Sequence, residues 1–238
     1  PRWCATFASD SARSQVASLT ALLDSHGGYV EEFAVFDDTR SGRFHVRCVV
    51  RFELGSLDVA ALRRGWQAML TTFGHVEGAL HELAQRQRVL LMVSKADHAL
   101  RELLAQWRRG DLVMEPVAVV SNHPDLAALA AADGLPFHHL PVSATTKPQQ
   151  EARLRELIAG YAVDWIVLAR YMQVLSEDFC RDHAGRIVNI HHSFLPGFKG
   201  ARPYEQAYER GVKLIGATAH FATTDLDEGP IIEQSVER

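Results

Sequence analysis

Asn189 and His191 stand two residues apart at the end of an apolar run, Ile187-Val188-Asn189-Ile190-His191. Side chains on a β-strand alternate between faces, so an amide and an imidazole at this spacing project together. Such a pair suits a carbonyl substrate. The amide can donate a hydrogen bond to an oxygen that gains negative charge, and the imidazole can donate a second bond or carry a proton. A later polar run, Thr223-Thr224-Asp225-Leu226-Asp227-Glu228-Gly229, can bring a carboxylate to meet them. His192 is expected on the opposite face, as a structural or supporting residue. His220 lies inside another strand-like run, where it can orient a group of the site. Ser193 has no GxSxG setting and is a supporting residue rather than a nucleophile. His191, His220 and Asp227 could in principle ligate a metal, but no HExxH or HxH spacing supports that use, so no metal is expected.

The elements that must position these residues change character along the chain. Up to about residue 82, strand patterns at 3–7, 29–36, 43–52 and 76–82 alternate with helical patterns near 11–26 and 57–73. Gly27-Gly28 ends the first helix, and the polar, Gly-ended stretch 37–42 suits a hairpin. The order is β-α-β-β-α-β, a ferredoxin-like α+β unit over residues 1–82. Residues 83–88 are polar and basic and read as a linker. From 89 onward, strand patterns at 89–93, 117–121, 137–140, 165–168 and 187–190 are separated by helical patterns near 97–109, 124–133, 147–161 and 176–184. That alternation predicts an α/β domain over 89–238, a Rossmann-like, mostly parallel sheet with helices on both faces. Further strands are expected at 214–223 and 231–236.

In open sheets of this kind, ligands bind beyond the carboxyl ends of the strands. The loop Arg170-Tyr171-Met172-Gln173-Val174-Leu175, the Asn189/His191 pair and the Asp225/Asp227 loop are therefore expected to converge on one mouth. Lys95, just after the first strand of this domain, either neutralises an anion there or is solvated beside an N-capping Asp97. No GxGxxG or P-loop pattern is present, so dinucleotide and nucleoside triphosphate binding are not expected.

Composition bounds the alternatives. The 238 residues are 47% hydrophobic and 23% charged, with a net charge of −4 that argues against a general nucleic-acid-binding surface. Three widely spaced cysteines, Cys4, Cys48 and Cys180, form no CxxC pair and fit a reducing, cytoplasmic setting. No apolar run approaches the length of a membrane span, and no secretory signal is evident, although the sequence opens on Pro1 rather than Met.

Several stretches carry a more specific likeness. They are Met92-Val93-Ser94-Lys95, Ser121-Asn122-His123-Pro124-Asp125-Leu126, Pro136-Phe137-His138-His139-Leu140-Pro141-Val142 and Leu168-Ala169-Arg170-Tyr171-Met172-Gln173-Val174-Leu175-Ser176. With them go Asn189-Ile190-His191-His192-Ser193-Phe194-Leu195-Pro196, Phe198-Lys199-Gly200-Ala201-Arg202-Pro203-Tyr204, Gly216-Ala217-Thr218-Ala219-His220-Phe221 and Asp225-Leu226-Asp227-Glu228-Gly229-Pro230. From about residue 88 onward the chain resembles formyltetrahydrofolate deformylases almost continuously. Before that it more weakly resembles an ACT-type regulatory domain.

The resemblance implies a hydrolase that converts 10-formyltetrahydrofolate and water to tetrahydrofolate and formate. It implies catalysis by Asn189, His191 and Asp227, a folate pocket walled by Arg170 to Leu175, and no tightly bound cofactor. It also implies a homo-oligomer, and glycine or methionine as an effector of the ACT-like part. That expectation is weakened because the first strand-to-helix turn, Ala8-Ser9-Asp10-Ser11-Ala12-Arg13-Ser14, lacks the glycine usual there. A further helical segment beyond 236 belongs to the family pattern, and this sequence stops short of it. The same three residues would serve a glycinamide ribonucleotide-type formyltransferase, and a non-catalytic folate or amino-acid sensor is the third alternative.

Overall fold

Two rhythms of apolar spacing give two units, Pro1–Arg86 and Gln87–Arg238. The computed structural model describes residues 1–10, 14–74, 76–200 and 202–237. Ser11, Ala12 and Arg13 of the first strand-to-helix turn, and Ala201 of the Phe198–Tyr204 stretch, lie outside the described residues.

The first unit runs β1 (Arg2–Asp10), α1 (Gln15–Ser25), β2 (Tyr29–Asp38), β3 (Arg43–Arg51), α2 (Val59–Thr72) and β4 (Glu77–Glu82). Its sheet has the order β2-β3-β1-β4 and its described pairs are antiparallel. The helices bury Leu19, Leu23, Leu62 and Trp66 against Trp3, Ala5, Phe7, Cys48 and Val50. Asp58 caps α2 by accepting the Ala61 N–H at 2.9 Å. The boundary at Arg86/Gln87 falls inside the expected linker 83–88, whose last two residues, Gln87 and Arg88, already belong to the next strand.

The second unit follows with β5 (Gln87–Val93), α3 (His98–Arg109), β6 (Met114–Ser121), α4 (Ala127–Ala132), β7 (Phe137–His139), α5 (Lys147–Gly160) and β8 (Trp165–Leu168). After these come α6 (Glu177–Asp182), β9 (Ile187–His191), α7 (Pro203–Glu209), β10 (Ile215–Phe221) and β11 (Ile231–Glu237). The sheet order is β11-β10-β9-β8-β5-β6-β7. The strands β5 to β9 are parallel, and their apolar runs are buried on both faces. The chain winds outward from β5 to β7, then crosses back through α5 to β8 on the other side of β5. That reversal opens a crevice at the carboxyl ends of β5 and β8.

Two features depart from the expected pattern. Strand β10 pairs antiparallel with both β11 and β9, with Phe221 opposite Val188 and Thr218 opposite His191. The loop after β10 therefore starts beside the amino end of β9 rather than at a carboxyl end parallel to it. Short α7 is also new: it starts at Pro203 and has too few residues for a periodic signal.

Leu154 of α5 is fully buried against Leu90, Ile166 and Ile187. Truncation there leaves a void that a close-packed interior fills only partly. Leu154→Ala is expected to lower unfolding free energy by about 3 kcal/mol, read from urea denaturation.

Candidate active site

The antiparallel register of β9 and β10 assembles one wall of the site. His220 lies opposite Asn189, and Thr218 lies opposite His191. Directly paired residues project to the same face, so all four side chains share it. Asn189 Nδ2 and His220 Nε2 are 3.1 Å apart, and His220 Nδ1 is 2.9 Å from the Phe221 carbonyl. A carbonyl only accepts, so Nδ1 carries the proton and Nε2 accepts from Asn189. Burial pushes the His220 pKa down, which favours this neutral form. One Asn189 N–H is thereby committed, and the other is left for a ligand.

His191 is held by similar logic. Its Nε2 donates to the Phe198 carbonyl at 2.8 Å, and Ser193 Oγ donates to the same oxygen at 2.7 Å. Nδ1 is left facing Asp227 Oδ2 at 3.5 Å. Asp227 is buried, and Oδ2 also accepts the Gly200 N–H at 2.9 Å. Its other oxygen lies 3.8 Å from His220 Nε2. Both separations exceed a normal hydrogen bond, so the carboxylate sits against the two imidazoles without being tied to either.

Asp227 gets there through a compact turn. Its own φ is +56°, a left-handed conformation that Asp tolerates better than most residues. Gly229 follows, and a Cβ there would lie 1.7 Å from the Phe221 oxygen. Only glycine lets the loop pass this close to β10.

These residues line a cavity of about 310 Å³. The opposite wall is the loop after β8, where Arg170 to Leu175 all line the space. Tyr171 is buried, whereas Met172 and Val174 are more than half exposed. Asp225 and Leu226 complete the rim. Lys95 lines a separate depression with Asp97 and Arg101, so it is not brought to the Asn189 cavity. Nor does Asp97 cap α3 with its side chain, which instead accepts from Arg101 Nε at 2.5 Å.

His192 corrects the expected alternation. Strand β9 ends at His191, and His192 turns into the same cavity. Its ring centroid lies 5.6 Å from that of His191, and its Nδ1 accepts from Arg170 Nη1 at 2.6 Å. Thr218 was overlooked in the sequence although alternation from His220 points to it. Its Oγ1 donates to the Ser193 carbonyl and accepts from Leu195 N–H, fixing the turn after His191. Gly200 and the Phe198 carbonyl act through their backbones and leave no sequence signal.

No helix among the described residues is long and apolar enough to cross a membrane. Residues 87–237 match the family described as formyl transferase. The formyltetrahydrofolate deformylase of Corynebacterium sp. (strain P-1) is 45% identical over 221 residues, covering 93% of this chain and 77% of that protein. The deformylase of Bacillus subtilis is 42% identical over 230 residues, covering 94% and 74%. A crystal structure of formyltetrahydrofolate deformylase from Burkholderia mallei gives a TM-score of 0.92 at 54% identity, covering 100% of this chain and 83% of that one. A phosphoribosylglycinamide formyltransferase from Anaplasma phagocytophilum gives 0.59 at 32% identity, covering 64% and 72%.

Burial, and then the Arg170 guanidinium, push the His192 pKa from 6.5 to about 4. The folded value is the lower one, so the unfolded chain takes up this proton first as pH falls. The stabilisation is complete above about pH 6.5 and is lost progressively toward pH 4. His192→Phe is expected to flatten the pH dependence of Tm across that window in thermal unfolding.

Proposed function

The chain belongs to the formyl transferase family, and on that premise we propose that it hydrolyses 10-formyltetrahydrofolate to tetrahydrofolate and formate. One observation carries the reading. Asn189, His191 and Asp227 meet on one wall of a cavity, in a chain that resembles deformylases along its whole length. The formyltransferase likeness covers only 64% of it, which favours water over an amine as the nucleophile.

The chemistry follows from the hydrogen-bond assignments. Water attacks the formamide carbon, and negative charge gathers on the formyl oxygen. The free N–H of Asn189 is the donor for that oxygen, held in orientation by neutral His220. Imidazolium His191 has a second proton to offer at Nδ1, because its Nε2–H is held by the Phe198 carbonyl. Asp227 takes the proton of the attacking water and holds charged His191 beside the developing oxyanion. The cluster then returns a proton to the departing folate nitrogen, breaking the C–N bond. Arg170, Tyr171, Met172, Gln173, Val174 and Leu175 enclose the folate ring system through backbone and apolar contacts, and the reaction uses no tightly bound cofactor.

We extend the reading to the first unit, whose β-α-β-β-α-β order and β2-β3-β1-β4 sheet support an ACT-type regulatory domain over residues 1–82. A cytoplasmic homo-oligomer completes it, in keeping with the free, buried Cys4, Cys48 and Cys180.

Formate release from 10-formyltetrahydrofolate, measured with and without glycinamide ribonucleotide, tests the reaction class. Release without the amine is expected, with no formylated amine formed when it is added. Amine-dependent consumption would assign a transferase, and no turnover would leave a sensor. Asn189→Ala is expected to lower kcat by about 10²–10³-fold, the usual loss of one oxyanion donor.

A further inference from the structure

The loop that walls the cavity lies outside any helix or strand from Arg170 to Ser176. Its shape therefore depends on side chains that bind it from elsewhere. At the end of β5, Ser94 Oγ accepts the Met172 N–H at 3.0 Å and donates to Asn122 Oδ1 at 2.7 Å. The other two tethers come from neighbouring residues early in α5. Gln150 Nε2 donates to the Tyr171 hydroxyl at 3.0 Å. Glu151 Oε1 accepts the Ser176 N–H at 2.7 Å, and its Oε2 accepts the Ser176 hydroxyl. That hydroxyl accepts in turn from the Phe179 N–H at 3.2 Å, which caps α6.

Gln150 and Glu151 are 6% and 4% exposed, in a helix that otherwise buries Leu154, Leu157 and Ile158. Burying an ionised carboxylate is costly unless its oxygens are satisfied. No Lys or Arg among the described residues pairs with Glu151. Its partners are an N–H and a hydroxyl of the cavity loop, close to the positive end of α6. Apolar residues would fill the same space at lower cost, but they would leave the loop unheld. Between the two tethers, Met172 and Val174 stay exposed along the cavity.

We infer that Gln150 and Glu151 are positioning residues that clamp both ends of the Arg170–Leu175 wall and so set the grip on the substrate's ring system. The inference rests on the proposal that this cavity takes a folate. Neither residue hydrogen-bonds Asn189, His191, His220 or Asp227, which are held through β9, β10 and Gly200. Loosening the clamp should therefore weaken substrate binding while sparing the chemical step.

The test measures kcat and KM for 10-formyltetrahydrofolate with Glu151→Ala, Gln150→Leu and Glu151→Gln, alongside amide hydrogen exchange over residues 171–176. Glu151→Ala is expected to raise KM about tenfold with kcat within about twofold, and Gln150→Leu to raise it about threefold. Glu151→Gln keeps one acceptor oxygen and should recover most of the loss. Exchange at Ser176 should accelerate in Glu151→Ala. An unchanged KM with unchanged exchange overturns the inference, and so does a kcat that falls as far as kcat/KM. If Glu151→Ala does not fold, Gln150→Leu and Ser176→Ala decide by the same criteria. If the native chain shows no turnover, the functional reading fails on its own. The clamp is then judged by exchange and by tetrahydrofolate quenching of tryptophan fluorescence, where native binding that the variants do not weaken overturns it.

Discussion

The antiparallel pairing of β10 with β9 is the constraint on which the site depends. It sets His220 across from Asn189 and Thr218 across from His191. One buried, neutral imidazole then fixes the Asn189 amide, and one buried hydroxyl fixes the turn behind His191. A shift of β10 by one residue in this register would turn His220 and Thr218 to the other face. Here β10 leads straight into the loop that carries Asp227.

Electrostatics follow from the same arrangement. Asp227 is enclosed with two imidazoles and a backbone N–H, and no Lys or Arg among the described residues pairs with it. A carboxylate neutralised by a permanent cation would be a poor proton acceptor. One surrounded by groups that can change charge or only donate remains available for proton transfer. Arg170, across the cavity, is engaged by His192 instead. Cation and carboxylate are thus held on different walls.

Much of this was legible in the sequence, for definite reasons. Period-two alternation within 187–191 placed Asn189 and His191 on one face, and the alternation of strands and helices gave the sheet its class. The same rule misplaced His192, because alternation stops where the strand stops. The direction of β10 was hidden: a seven-residue strand carries no mark of its pairing sense. The three loops share one cavity as expected, but the Asp227 loop leaves a strand that runs opposite to β9. Gln150 and Glu151 read as ordinary polar helix positions, because nothing local distinguishes a solvated Glu from one that meets a loop 25 residues away. Gly229 was noted only as part of a polar loop, and its necessity emerges from the 1.7 Å approach to the Phe221 oxygen.

We propose that Asp227 drives water onto a formyl carbon bound beside Asn189 and His191. The most direct measurement is the rate of ¹⁸O-labelled formate formation from 10-formyltetrahydrofolate in H₂¹⁸O, for the native chain and for Asp227→Asn. The account predicts one solvent oxygen in each formate from the native chain, and a rate lower by about 10²–10⁴-fold in the variant. Unlabelled formate, or labelled formate from the variant at the native rate, would contradict it.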